Sequence, residues 1–245
     1  MITVYSPRIH NLGDFSHCLP ALSGLYNKYQ TEISFGICDR LQCFNGIKDL
    51  LLHQDMFGEV FFMSERPVVD NYIIVDDSGR DSDENINSKA AYRNVNFLND
   101  NYNLGIEIDN DFELQVPYFC NIDYFEDKLL VGDRWPPDQC PTVDLRRQHS
   151  VLKNSGKFNG SNIQYLDYSR DLVYNCSIIK YNPNPFYTTF TGVGILSDLM
   201  NKETYVMWDD DMRMWNGEPV ENDFDLHYFK NRKSHLRYIK EHEWE

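Results

Sequence analysis

Apolar and polar positions in the first third of the chain switch repeatedly between two periods. Ile2, Val4 and Tyr5 mark a short strand in "ITVY". Leu19, Leu22, Leu25 and Tyr26 then recur at the three-and-four spacing of one helix face. "EISFGIC" (32–38) predicts a second strand, and "NGIKDLLLHQ" (45–54) a second helix with Asn45 in the capping position. "EVFFM" (59–63) and "NYIIVDD" (71–77) predict two more strands. Strands and helices alternating at this pace predict an α/β unit built on a parallel, doubly wound sheet.

After Asp76 the stretch "DDSGRDSDENINSK" is polar, acidic and without period, as a solvated loop would be. Residues 89–105 allow a helix, although "NFLNDNYNLG" is rich in turn formers. The alternation resumes near Glu126. "DKLLVGD" (127–133), "IQYLDY" (163–168), "FYTTFTGVG" (186–194) and "TYVMW" (204–208) predict strands, the third running into a glycine-containing turn. Helices are expected over 143–154, over 169–181 with Ser169 as cap, over 195–202, and as a final charged helix over 225–243. The chain thus divides into two Rossmann-like halves, 1–120 and 121–245. Ligands of such sheets bind outside the carboxyl ends of the strands.

Composition narrows the class of partner. The 245 residues, 42% of them hydrophobic, can build one large core or two small ones. A formal net charge of −15 gives no general attraction to phosphate backbones or anionic lipid, and leaves only a local basic cleft as a route to either. The six cysteines (18, 38, 43, 120, 140 and 176) form no C-x-x-C pair and show no zinc-ligand spacing. "MITVYSPRIH" reads as a strand rather than a signal peptide, and no apolar run approaches the ~18 residues of a membrane span. The expectation is a soluble, cytoplasmic protein whose thiols serve as small core hydrophobes.

Candidate chemistry gathers at strand ends. In "NLGDFSHCLP" (11–20), Asp14 sits in the first strand-to-helix turn, where a carboxylate can take a proton from a hydroxyl or cap the helix. His17, one turn on, either faces the same cleft as a second catalytic residue or is structural. Cys18 adjoins it, but neighbours along a helix point in different directions, so the two make no nucleophilic pair. In "TGVGILSDLMN" (191–201), Thr191, Gly192, Val193 and Gly194 open a helix whose first N–H groups suit a phosphate; Ser197 breaks the match to G-x-G-x-x-G. Arg134 follows the strand "KLLVG" and can pair with a diphosphate. Asp76–Asp77 and Asp209–Asp211 end apolar strands, either as solvated termini or as ligands for a hard cation. Lys230, Arg232, Lys233, Arg237 and Lys240 give the final segment a cationic stripe that packs on acidic loops or meets an anionic ligand.

These residues support a resemblance. Gly13, Asp14, His17, Leu19, Pro20, Ala21 and Leu22 match the Gly-Asp-x-x-His-x-x-Pro-Ala-Leu opening of the bacterial heptosyltransferase-like glycosyltransferases, the ADP-heptose:LPS heptosyltransferase type. "LLVGDRWPP" resembles the segment that opens their nucleotide-sugar domain. "FTGVGILSDLMNKETYVMW" resembles their Asp-Thr-Gly-x-x-His segment, with Phe190 in place of the Asp and Ile195 in place of the His. The resemblance implies a GT-B fold of two facing Rossmann-like domains, with neither metal nor cofactor. It further implies an inverting glycosyltransferase in which Asp14 is the general base and Gly13 lies on the acceptor side. Thr191–Gly194, with Arg134, would hold a nucleotide-diphosphate sugar, and the acceptor would be a hydroxyl, by default of a saccharide, with a nucleobase, lipid or protein hydroxyl as alternatives. Two alternatives stay open: a metal-dependent glycosyltransferase using an Asp cluster, and a non-catalytic relative that binds nucleotide or sugar.

Overall fold

The computed structural model describes residues 1–75, 90–119, 125–132, 160, 162–189, 192–208 and 235–240. The chain divides into two compact units between Gln115 and Val116, close to the boundary at 120 read from the sequence.

The first unit runs β1 (Ile2–Ser6), α1 (Leu12–Ser16), α2 (Leu19–Tyr29), β2 (Ile33–Ile37), α3 (Ile47–Leu52), β3 (Phe57–Phe62), β4 (Ile73–Ile74) and α4 (Ala90–Tyr102). Its sheet is parallel with order β3-β2-β1-β4. All five residues of β2 are buried, which is why "ISFGI" reads as a continuous apolar run rather than an alternating one. Phe15 of α1, Phe35 of β2 and Phe57 of β3 stack in series, with centroids 6.0 and 5.2 Å apart, and fix α1 against the sheet. Pro20 sits in the first turn of α2, where its missing N–H costs nothing. The cap of α3 is Gly46 rather than Asn45: the backbone there has φ +83°, a left-handed conformation that favours glycine.

An extended strap follows α4. Asn99 of α4 clasps it through a two-way pair with Ile106, Nδ2 to carbonyl at 2.9 Å and N–H to Oδ1 at 2.8 Å. The Lys28 ammonium donates to the Leu104 and Gly105 carbonyls (2.8 and 2.6 Å). Asp109 accepts from Ser23 Oγ and Asn27 Nδ2, and its N–H donates to the Pro20 carbonyl. The strap ends at Gln115, whose N–H and carbonyl both pair with the Gln54 amide (2.8 and 2.9 Å). The hydrogen bonds of Val116 and Pro117 belong to the next unit, so the boundary falls there.

The second unit contains β5 (Leu129–Gly132), β6 (Ile163–Tyr165), α5 (Leu172–Tyr181), β7 (Phe186–Thr189), α6 (Gly192–Leu199), β8 (Thr204–Trp208) and β9 (Leu236–Lys240). Its sheet is parallel with order β6-β5-β7-β8-β9. Ser177 Oγ and Tyr181 OH of α5 donate to the Pro117 and Val116 carbonyls. Asp171, not Ser169, caps α5: its Oδ1 accepts from Tyr174 N at 2.7 Å. The Ser169 hydroxyl and N–H go instead to Asp167 and hold that carboxyl below its ordinary range.

Two expectations are corrected. The helix expected over 195–202 starts at Gly192 and ends at Leu199. Residues 236–240, placed at the end of a final helix over 225–243, form strand β9, parallel to β8 from Thr204↔Leu236 to Trp208↔Lys240. The β9 entry is pinned by Asp198 of α6, buried at 3% exposure, whose Oδ1 accepts from His235 N at 2.6 Å. The helix expected over 143–154 lies outside the described residues. Cys18 and Cys176 are wholly buried, as expected of core thiols, and burial pushes the Cys176 thiol up to about 12.

Lys202, just past α6, is a buried cation whose ammonium donates to the Asn182 carbonyl. Burial lowers its pKa from 10.5 to about 8, with a small opposing contribution from Glu203. Between those values the folded chain holds fewer protons than the unfolded one, so stability rises with pH through that window; below pH 8 the full cost is present. Lys202→Met is therefore expected to gain about 1–3 kcal/mol more, relative to the parent, at pH 7 than at pH 10.5, a range discounted for residual solvent contact. Urea melts of both proteins at the two pH values measure this double difference; parallel curves would refute it.

Candidate functional site

In an open parallel sheet the chain leaves a crevice where successive connections turn to opposite sides. In the first unit β1 connects to β2 on one side while β4 lies on its other side, so the crevice opens at the carboxyl ends of β1 and β4. The turn after β1 carries the "NLGD" stretch. In the second unit β5 has β6 on one side and β7 on the other, so the crevice opens at the carboxyl ends of β5 and β7. The turns after those two strands lead to Arg134 and to Thr191–Gly194. Among the described groups, Asp14 thus follows β1 at the first unit's crevice and Gly192–Gly194 follow β7 at the second unit's.

Around Asp14 the cap is Asn11. Its Oδ1 accepts from Asp14 N at 2.8 Å, and its Nδ2 donates to the Asp14 carboxylate. This reciprocal pair has the three-residue spacing of a capping box, with Asn11 at the N-cap of α1. Asp14 is half-buried, and one amide donor orients its carboxylate. Gly13 beside it is buried in the helix. His17 forms the C-terminal end of α1 and is 8% exposed; its carbonyl accepts from Asn94 Nδ2 at 3.3 Å. Asn94 also meets the Cys18 thiol, whose other partner is the Asp14 carbonyl (3.8 and 3.7 Å). A thiol and an imidazole do pair here, but they are Cys38, at the end of β2, and His10, with Sγ and Nδ1 3.3 Å apart.

In the second unit, β7 ends at Thr188 and Thr189. Thr188 Oγ1 donates across to the Gly132 carbonyl of β5 at 2.7 Å, tying together the two strands that flank the crevice. Gly132 lets the strands meet: a Cβ there would lie 2.4 Å from the Phe186 ring. Thr189 is 3% exposed, and its hydroxyl has no hydrogen-bond partner among the described residues. Gly192 opens α6, Val193 and Gly194 are buried in its first turn, and Ser197 Oγ donates to the Gly194 carbonyl. Ile195 is buried at 5% exposure.

Arg134, Thr191, Phe190, Asp76–Asp77, Asp209–Asp211, Lys230, Arg232 and Lys233 lie outside the described residues. Among the described residues, no three His, Cys, Asp or Glu side chains are grouped to hold a metal ion, and no helix is long and apolar enough to cross a membrane. Sequence reasoning missed two polar groups. Asn11 had a legible signal, a strong capping residue three positions before an acid. Thr189 had none, because burial without a partner leaves no mark on a sequence.

The fold defined by these features is α/β with two parallel, Rossmann-like sheets. No family model matches the chain, and no curated protein matches it in sequence. Solved structures of the same fold do. The chain is similar to a glycosyltransferase family 9 protein from Veillonella parvula, with a TM-score of 0.64, 10% identity, and coverage of 97% of this chain and 86% of that one. It is also similar to the E. coli ADP-heptose LPS heptosyltransferase II, with a TM-score of 0.55, 12% identity, and coverage of 99% and 93%. E. coli heptosyltransferase WaaC, solved with ADP, matches with a TM-score of 0.55, 9% identity, and coverage of 98% and 91%. The expected heptosyltransferase-like, GT-B-like fold thus has its counterpart among solved structures.

Proposed function

We propose that the chain is an inverting, metal-independent glycosyltransferase that moves a sugar from a nucleotide-diphosphate donor to an acceptor hydroxyl. The observation that carries this reading is topological. The carboxylate suited to proton removal follows β1 at the first unit's crevice, and the phosphate-suited helix start follows β7 at the second unit's crevice. The solved structures that share the fold are heptosyltransferases and a family 9 glycosyltransferase, and one of them was solved with ADP.

In the proposed reaction Asp14 accepts the proton of the acceptor hydroxyl as that oxygen attacks the anomeric carbon. Asn11 holds the carboxylate for this role through its amide. The bond from the sugar to the diphosphate breaks as the new glycosidic bond forms, and the sugar's configuration inverts. The positive end of the α6 dipole, with Thr191 and Arg134, offsets the charge that develops on the leaving diphosphate. His17, at the C-terminal end of α1 and 8% exposed, is the second catalytic candidate of this turn.

A panel of nucleoside diphosphates and their sugars, screened by thermal shift in EDTA, tests the donor half. A donor at about 100 times its Kd is expected to stabilise the fold by about 2.7 kcal/mol, a rise of roughly 5–10 °C. No shift with any member would defeat the reading, and a shift that appears only with added divalent metal would replace it by the metal-dependent alternative. A second reading, a donor-binding relative without turnover, draws on Ile195, which is apolar and buried where the resembling family has His. Donor binding without transfer to any acceptor in a broad panel would favour it.

A further inference from the structure

Cys38 and His10 lie 28 residues apart in sequence and meet at the carboxyl edge of the first sheet. The strand register brings them there. Ser6 ends β1 opposite Ile37 at the end of β2, and each segment then runs on past the sheet. Cys38 is the first residue beyond β2 and leads into a turn of 3-10 helix, Asp39–Cys43, while His10 lies in the turn that joins β1 to α1. Sγ and Nδ1 are 3.3 Å apart, within hydrogen-bond reach for sulfur. A nucleophile with a base at that distance is the arrangement that activates a thiol.

Cys43, at the end of the same 3-10 turn, offers the contrast. It is the more exposed of the two thiols, half-buried against 8% exposure for Cys38. Its Sγ donates to the Arg40 carbonyl at 3.2 Å, an acceptor that cannot carry the proton away. Exposure alone therefore ranks Cys43 as the more reactive thiol, and the imidazole reverses that order.

We propose that Cys38 is a site of reversible thiol–disulfide exchange with a small disulfide, and that His10 is the base that takes the thiol proton. The Cys38 sulfur attacks one sulfur of the reagent, and a new S–S bond forms as the reagent's own S–S bond breaks. The electron pair of the broken bond leaves with the departing sulfur. The proton passes from Cys38 to His10 Nδ1 and then to that sulfur, so one thiol is consumed and one released. The low exposure of Cys38 limits the partner to a small molecule. The net charge of −15 disfavours an anionic one, leaving an uncharged or cationic disulfide as the fitting class.

Incubation of the native protein with the uncharged bis(hydroxyethyl) disulfide tests this, each mixed disulfide being followed by peptide mass spectrometry. In the parent, Cys38 is expected to react about tenfold faster than Cys43 despite its lower exposure. His10→Gln, whose amide cannot take up the proton, is expected to slow Cys38 relative to Cys43 by about tenfold or more. Excess free thiol should restore Cys38. A buried pair with only a structural role predicts Cys43 ahead of Cys38 in the parent, and that order would overturn the proposal. A Cys38 rate that His10→Gln leaves unchanged or raises would overturn it too. The comparison within the parent needs no variant and decides the matter even if His10→Gln fails to fold.

Discussion

Asp14→Asn is expected to lower sugar transfer by about 10²–10⁴-fold, the usual contribution of a positioned general base. The fold should survive. Asp14 is half-buried, the cap of α1 is Asn11, and the amide that replaces the carboxylate keeps an oxygen able to accept from Asn11 Nδ2. Its melting temperature should stay within about 2 °C of the parent's, and nucleotide binding, which depends on the other unit, should be unchanged. Asn11→Ala supplies the contrast. It removes the cap, costing about 1 kcal/mol, and leaves the carboxylate in place without the Asn11 amide, so transfer should fall by less than in Asp14→Asn. Release of nucleoside diphosphate, followed with each variant over an acceptor panel, reads both effects. Full activity in Asp14→Asn would remove Asp14 from the mechanism.

The largest structural effect is expected at Gly24. Alanine in the middle of a helix ordinarily gains about 1 kcal/mol over glycine. Here the gain is overridden: a Cβ at position 24 would lie 1.9 Å from the Glu107 carbonyl oxygen and 3.1 Å from its carbon. Those atoms are backbone, and the strap that carries them is fastened on both sides of the contact. Lys28 holds Leu104 and Gly105, while Ser23, Asn27 and the Pro20 carbonyl hold Asp109. Gly24→Ala must therefore lift the strap from α2 and is expected to cost about 1–3 kcal/mol net, a fall of roughly 3–10 °C in melting temperature. Calorimetry decides the point; a variant as stable as the parent would mean that the strap yields freely.

Much of this fold was legible from period alone. β1, β2, β3, β5, β7, β8, α2 and α3 fall where apolar spacing sets them, because each buries one face or is buried throughout. The caps were less legible. Ser169 and Asn45 carry the right side chains, but Asp171 and Gly46 hold the positions, the first by its bond to Tyr174 N and the second by its left-handed backbone. Local chemistry offers several residues for a cap, and tertiary packing selects one. The strap was illegible, since most of its anchoring hydrogen bonds join it to α2 and Gln54, 60 to 90 residues away, and leave no period. The candidate site was half legible. Asp14 and the α6 start were proposed from motif and turn position, the Asn11 cap was readable from its spacing, and the burial of Thr189 needed the fold.

The clearest error concerns "HLRYIK", where cations at helical spacing suggested a helix face and the chain instead forms β9. That misreading points to what those residues do. Strand β9 is the last in its sheet among the described residues, so one side of its backbone is left with groups that another sheet could pair with. Arg237 is exposed on it, and Lys240 closes it. Positive charge along such a border repels a second copy of the same strand. The exposed Arg237, which helps to disguise β9 as a helix, thereby opposes edge-to-edge pairing of that strand with a second copy of itself.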